Sequence, residues 1–229
     1  MSNIIFLLSS VFLFPIYLLS QPIVISLGSD CQGTVYKREY QLREAAYPFD
    51  LVVTEDFESV IHAISDECKN WLTPAYLEYR DNNILNTLYR ISFVHDFPFV
   101  DNHYKTSESD YTSSGIIEPE YKSYLSAAAK KYRRRIGRFF EVLNSTNPVI
   151  FIRTNTTPTA ARRFVEMMKQ KYPNLPFILV VVCTSKLVNM NWNIERVKNF
   201  YAVDKDLSFP WWWGHKTWQM VFKEMGLIQ

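Results

Sequence analysis

A cysteine placed just before a helix can act as a nucleophile. The unpaired N–H groups of the first turn stabilise a thiolate and can hold an oxyanion. The run Ser26-Leu27-Gly28-Ser29-Asp30-Cys31-Gln32-Gly33 has this form. Cys31 follows a short apolar stretch, Ile23–Leu27, that Gly28 stops, and it precedes a segment with helical spacing. Gly28, Ser29 and Gln32 are the neighbours placed to touch a substrate. Asp30 works against a thiolate, because an adjacent carboxylate disfavours a second negative charge. A packed structural thiol is the alternative, since cysteine is among the most buried residue types. Gly28 and Gly33 have the G-x-x-x-x-G spacing of a phosphate loop, but Thr34 and Val35 stand where such a loop needs Lys and then Ser or Thr. Nucleotide binding is therefore not expected.

A thiol nucleophile needs a base. His95 ends the apolar run Ile91–Val94 and is followed by Asp96, an arrangement that suits a general base beside a carboxylate. A satisfied turn histidine is the alternative. His62 falls within a helix and His103 in a polar loop, and neither is given a role. No spacing resembles a zinc site, so neither a metal nor a cofactor is expected. Arg153 leaves the apolar run Val149–Ile152 with no acidic residue close in sequence. A guanidinium is costly to bury unpaired, so Arg153 calls for a carboxylate or an anionic ligand. Asp50 is the natural internal partner; otherwise Arg153 and Asn155 line a substrate. The cluster Trp211-Trp212-Trp213-Gly214-His215 can stack on sugars, sit at a membrane interface, or close the core beside a terminal helix.

The elements that must position these groups read as alternating strands and helices. Strands are expected at Ile23–Leu27, Phe49–Val53 with Asp50 embedded, Val149–Ile152, Phe177–Val182 and Phe200–Val203. Tyr76–Arg80 and Leu85–His95 alternate like strands around an Asp81-Asn82-Asn83 turn. Helices are expected over Tyr36–Ala46, from Thr54 as N-cap to about Cys68, over Glu118–Leu143, Thr159–Lys171 and Lys216–Met225. On the longest helix Lys130, Lys131, Arg134 and Arg138 fall opposite the stripe Tyr121, Leu125, Ala128, Tyr132, Ile136, Phe139 and Leu143. That basic side is either a solvated face or a surface for anionic lipid or polymer. The alternation predicts an α/β, Rossmann-like three-layer domain with a mainly parallel sheet, covered on both faces. Ile23–Leu27, Val149–Ile152 and Phe177–Val182 should be parallel neighbours in its interior. Ligands of such sheets bind at the carboxyl ends of the strands, where the Cys31 loop, Arg153 and Cys183 would gather.

Of the 229 residues, 48% are hydrophobic and 21% charged, which implies a packed core. A net charge of +2 gives no argument for nucleic acid as a partner. Residues 1–21 stand apart: Ile4–Ser20 is uncharged and apolar, and reads as a signal peptide or anchor, leaving 22–229 as one α/β domain. If the leader is real, the protein is secreted or associates with a membrane through residues 4–20. The cysteines are Cys31, Cys68 and Cys183, an odd number that excludes a closed disulfide framework. The sequons at Asn144 and Asn155 matter only in the secretory pathway.

The set SLGSDCQ at Ser26–Gln32, PFD at Pro48–Asp50, FVHDFP at Phe93–Pro98, VIFIRT at Val149–Thr154 and W-G-x-x-x-W at Trp213, Gly214 and Trp218 resembles the DUF1796 family, described as putative papain-like cysteine peptidases. The order and spacing fit nearly the whole chain after residue 22. The resemblance implies Cys31 as nucleophile, His95 as base, and Asp50 or Asp96 orienting the histidine. The position of Asp30 is often Asn in similar sequences. The label implies a papain-like α+β fold, in which a helix packs on an antiparallel barrel-like sheet. A cysteine-dependent hydrolase acting on peptide or glycoconjugate is one reading. A glycan- or glycoconjugate-related transferase or binding domain, supported by the tryptophans and the leader, is a second. A non-catalytic remnant is a third, favoured by Asp30.

Overall fold

The computed structural model describes residues 21–100, 116–183, 191–203 and 214–229. The leader, His103 and Trp211–Trp213 lie outside them. Two four-stranded sheets are formed. The parallel sheet contains β1 (Ile23–Ser26), β6 (Val149–Thr154), β7 (Phe177–Cys183) and β8 (Val197–Tyr201), in that spatial order. The antiparallel sheet is ordered β2 (Val52–Thr54), β5 (Ile91–Phe93), β4 (Asn83–Asn86), β3 (Leu77–Arg80). The helices are α1 (Gln32–Glu39), α2 (Phe57–Ser65), α3 (Leu125–Leu143), α4 (Pro158–Lys171) and α5 (His215–Glu224).

Period-two alternation divides the parallel sheet into two apolar faces. Val24, Ile150, Ile152, Val180 and Val182 pack under Tyr36 of α1 and Trp218, Val221 and Phe222 of α5. Ile25, Val149, Phe151, Leu179 and Val181 face a larger core built with α2, α3, α4 and the antiparallel sheet. The chain is therefore the expected α/β three-layer arrangement with a parallel sheet, to which an antiparallel sheet is added. The runs at 23–27, 149–152 and 177–182 are parallel neighbours. Only β6 and β7 are interior, however, and β1 takes an edge of the sheet.

Several boundaries differ from the sequence expectation, each because a polar side chain competes with the regular pattern. Asp50 is not within a strand. Its Oδ2 accepts the Tyr47 N–H at 2.9 Å, closing a turn, and β2 starts only at Val52. Thr54 does not cap α2, because its hydroxyl is engaged by Ser29 and Arg153; Asp56 caps instead, accepting the Ser59 N–H at 2.8 Å. The stretch 85–95 is broken into β4 and β5 by Asn86. This buried side chain donates to Asn70 C=O at 2.8 Å and Trp71 C=O at 3.0 Å, and accepts the Tyr89 N–H at 2.9 Å. Helix α1 spans Gln32–Glu39 in place of Tyr36–Ala46, and Gln41 ends it with a φ of 57°. A 3-10 turn at Tyr121–Tyr124 precedes α3, and β8 starts at Val197, ahead of the expected Phe200. Arg153, expected in a loop, is still paired within β6, opposite Val181 of β7.

Candidate functional site at the start of helix α1

The parallel register places the carboxyl ends of β1, β6 and β7 on one edge of the sheet. Past β1, the Leu27 N–H donates to Ile152 C=O at 2.9 Å. The chain then reverses through Gly28 at φ 76° and Ser29 at φ 75°. That region is open to glycine but costs other residues roughly 1–2 kcal/mol. Thr54 holds the strained serine: its Oγ1 accepts the Ser29 N–H at 3.2 Å, and its N–H donates to Ser29 C=O at 3.3 Å. A Cβ on Gly28 would lie 3.2 Å from Thr54 Cγ2. Gly28→Ala is therefore expected to cost about 1–2 kcal/mol, read as a lower urea midpoint at unchanged slope.

The reversal delivers Cys31 to the N-cap of α1, with a 3% exposed side chain that makes no capping hydrogen bond. Asp30 does the capping, its Oδ1 accepting the Gln32 N–H at 2.9 Å. One first-turn donor is thus already used by a carboxylate. Burial pushes the Asp30 carboxyl up, against the Gln32 N–H, the Thr154 hydroxyl and the Arg153 charge, which all favour ionisation. Gln32 is buried too, and its Oε1 accepts the Trp218 Nε1–H at 3.4 Å. Trp218 stacks on Tyr36 at 6.0 Å between ring centroids, so α5 packs directly on the start of α1.

Arg153 does not pair with Asp50. Its Nη1 donates to Leu27 C=O and to Thr54 Oγ1, each at 2.8 Å, and its guanidinium lies 4.7 Å from the centre of the Phe57 ring. Among the described residues no carboxylate comes within ion-pairing distance of it, and its Nε is buried without a hydrogen-bond partner. Burial lowers the Arg153 pKa to about 9, with Asp30 and Asp56 opposing the shift. The reason for the missed pairing is geometric. Arg153 shares the β6 face of Val149 and Phe151, toward α2, whereas Asp50 sits in a turn against α1. Asn155 is exposed at φ 48°, and its N–H carries the β6–β7 pairing onward to Val182 C=O at 3.0 Å. Burial raises the thiols of Cys68 and Cys183.

The two carboxylates singled out beside the histidine are held by cations. Asp50 is fully buried. It pairs with Lys37 Nζ at 2.9 Å, lies 3.7 Å from Arg43 Nε, and its C=O accepts the Thr34 hydroxyl. Asp96 pairs with Lys131 at 2.7 Å and Arg135 at 3.3 Å, and accepts the Tyr132 hydroxyl. Burial alone would raise the Asp96 carboxyl, but Arg135, Lys131 and Tyr132 outweigh it and hold it below the ordinary range. Asp96 and, less strongly, Asp50 favour the charged form of Arg135. His95 is half-buried beyond the end of β5. Ile91 pairs with Thr54 and Phe93 with Val52, so β5 runs away from the Ser29 contact and toward the Asp50 turn. The first turn of α1 touches that same turn through Thr34. Of the basic residues on α3, Lys130, Arg133, Arg134 and Arg138 are exposed.

Lys37, Arg135 and Thr54 escaped the sequence reading as parts of the site. Arg135 had a signal: it belongs to the buried set Ala128, Tyr132, Arg135, Phe139, whose helical spacing puts a cation inside an apolar stripe.

A family model described as "Putative papain-like cysteine peptidase (DUF1796)" matches residues 23–186. The chain belongs to this family. The DUF1796 match begins at β1 and ends just past β7, so it contains the Cys31 loop, His95, both buried carboxylates and Arg153, while Gly214 and Trp218 lie outside it. Uncharacterized protein R408 of Acanthamoeba polyphaga mimivirus is 22% identical over 228 residues, covering 86% of this chain and 95% of the relative. No solved structure matches the chain. In this DUF1796 chain the cysteine stands at the carboxyl edge of a parallel sheet, and the antiparallel strands form a separate sheet.

Proposed function

We propose that the protein is a cysteine-dependent hydrolase in which Cys31 is the nucleophile and His95 the base. The observation that carries this reading is the placement of Cys31 as N-cap of α1 at the carboxyl edge of the parallel sheet, in a family described as cysteine peptidases. The helix N-terminus favours a thiolate. The approach of β5 and of the first turn of α1 to the same Asp50 turn supports the pairing with His95. In the reaction, the Cys31 sulfur attacks an acyl carbon and His95 takes the thiol proton. The proton then passes to the leaving group as the acyl bond breaks, and water releases the acid from the thioester. Asp50 and Asp96, being engaged by cations, serve to hold α1 and the His95 segment in place. A peptide or a glycoconjugate ester or amide is the proposed substrate class. Secretion, or association with a membrane through residues 4–20, is the proposed location.

The test is acylation by an activated ester, followed by intact mass and peptide mapping. A single adduct on Cys31 is expected, absent in Cys31→Ala and formed about a hundredfold more slowly in His95→Ala. An adduct on Cys68 or Cys183, or wild-type acylation in His95→Ala, would sink the assignment.

A further inference from the structure

The loop that presents Cys31 is clamped from both sheets through one guanidinium and one hydroxyl. Arg153, from the interior strand β6, donates to Leu27 C=O just before the reversal and to Thr54 Oγ1. Thr54, at the end of β2 in the antiparallel sheet, receives the Ser29 N–H just after Gly28 and returns its own N–H to Ser29 C=O. The two left-handed residues are thus enclosed between Leu27 and Thr54, both bound to the same Nη1. Phe57, which opens α2, covers the guanidinium. The arginine is 2% exposed and has no carboxylate within ion-pairing distance among the described residues. An ordinary ion-pair role does not explain a cation buried there.

We infer that Arg153 and Thr54 are positioning residues, which fix the Gly28–Ser29 reversal and thereby hold Cys31 at the N-terminus of α1. This rests on the reading of Cys31 as nucleophile for its functional meaning, and on the hydrogen bonds alone for its geometry. Nothing in the family description assigns either residue. Thr54 is the cleaner probe, because valine keeps its shape and removes only the hydroxyl, whereas loss of Arg153 also exposes Phe57 and the β6 core. Without the hydroxyl, Ser29 loses the acceptor that holds its strained φ, and Arg153 loses one of its two acceptors. The Cys31 sulfur then no longer keeps a fixed place at the helix end.

The experiment combines amide hydrogen exchange with the pH profile of Cys31 alkylation by iodoacetamide, in the full chain. In Thr54→Val, amides of residues 28–31 should exchange at least about tenfold faster, with those of β7 and α4 changed little. The midpoint of the Cys31 alkylation profile should move by at least about half a pH unit, toward the ordinary thiol value. Thr54→Ser should restore both, and Arg153→Lys should restore them in part. Unchanged exchange at 28–31, or equal acceleration throughout both sheets, overturns the positioning role. A loosened loop in Thr54→Val, together with a wild-type Cys31 that alkylates like an ordinary thiol, upholds the clamp and overturns the nucleophile.

Discussion

Replacing Lys37 by Met should destabilise the protein by about 3–5 kcal/mol, because it leaves the Asp50 carboxylate buried without its main counter-charge. Both side chains are fully buried and joined at 2.9 Å. Arg43, 3.7 Å away and 16% exposed, is too distant to replace a direct hydrogen-bonded partner. The reciprocal change, Asp50→Leu, should cost less at high pH than at low. Burial lowers the Lys37 pKa from 10.5 even with Asp50 present, and the cation loses its attraction when the carboxylate is removed. The unfolded chain then binds a proton that the folded one does not, so stability rises with pH toward the ordinary lysine value. The double change Lys37→Met with Asp50→Leu should cost less than Lys37→Met alone, since no unpaired charge remains. Urea titrations at pH 7 and pH 9 measure all of these. If the cycle shows no coupling between positions 37 and 50, the pair does not hold α1 against the 47–50 turn.

The second large effect is expected at Asp96. Its carboxylate gathers Lys131, Arg135 and the Tyr132 hydroxyl from α3, and all of these lose their acceptor in Asp96→Ala. A loss of about 3 kcal/mol or more follows from leaving Arg135 and Tyr132 buried and unpaired. Asp96→Asn should cost less but remove the acid dependence of this group. The sign follows from a folded-state carboxyl held below its unfolded value. Its stabilisation is fully present above an unfolded pKa of about 3.9 and is lost as pH falls through the lower folded pKa. The wild type should therefore lose stability more steeply than Asp96→Asn below pH of about 4, as followed by thermal melts across that range. Parallel acid profiles for the two proteins would show that Asp96 keeps an ordinary pKa and that the α3 contacts are not maintained in solution.

These two clusters also mark where the sequence was and was not legible. Whereas the start of β8 was hidden by Lys198 and Asn199, strands β1, β6 and β7 of the parallel sheet were clear because they contain continuous apolar runs rich in β-branched residues. Their alternation with amphipathic segments was enough for the layer order. The Cys31 loop was visible through Gly28 and the polar run after it. What stayed hidden depends on partners distant in sequence. Asp50 looked like part of a strand, because nothing local tells that its carboxylate closes a turn and pairs with Lys37, 13 residues earlier. Thr54 looked like a helix cap, because its hydroxyl is taken by Arg153, 99 residues later. Asn86 split an alternating run for the same reason, by bonding the backbone at 70–71. The Trp211–Trp213 cluster, expected to close the core beside the terminal helix, lies outside the described residues. Trp218, on that helix, is fully buried, and its hydrogen bond to Gln32 shows why the helix packs on α1.

The papain-like description of the family and the parallel architecture meet at one chemical requirement, an activated thiol at a helix start. Cys31 satisfies the geometry, while Asp30 puts a carboxylate beside it and occupies the Gln32 N–H. Which influence wins decides whether the loop is catalytic. The most direct measurement is the rate of alkylation of each cysteine by iodoacetamide as a function of pH, read by peptide mass spectrometry in the folded protein. Cys68 and Cys183 serve as internal references, their thiols raised by burial. Cys31 should react at pH of about 6–7 at least about tenfold faster than either, with a midpoint below the ordinary value of about 8.5 and lost or raised in His95→Ala. A Cys31 that reacts no faster than Cys68 and Cys183 until the protein unfolds would rule out a nucleophilic Cys31.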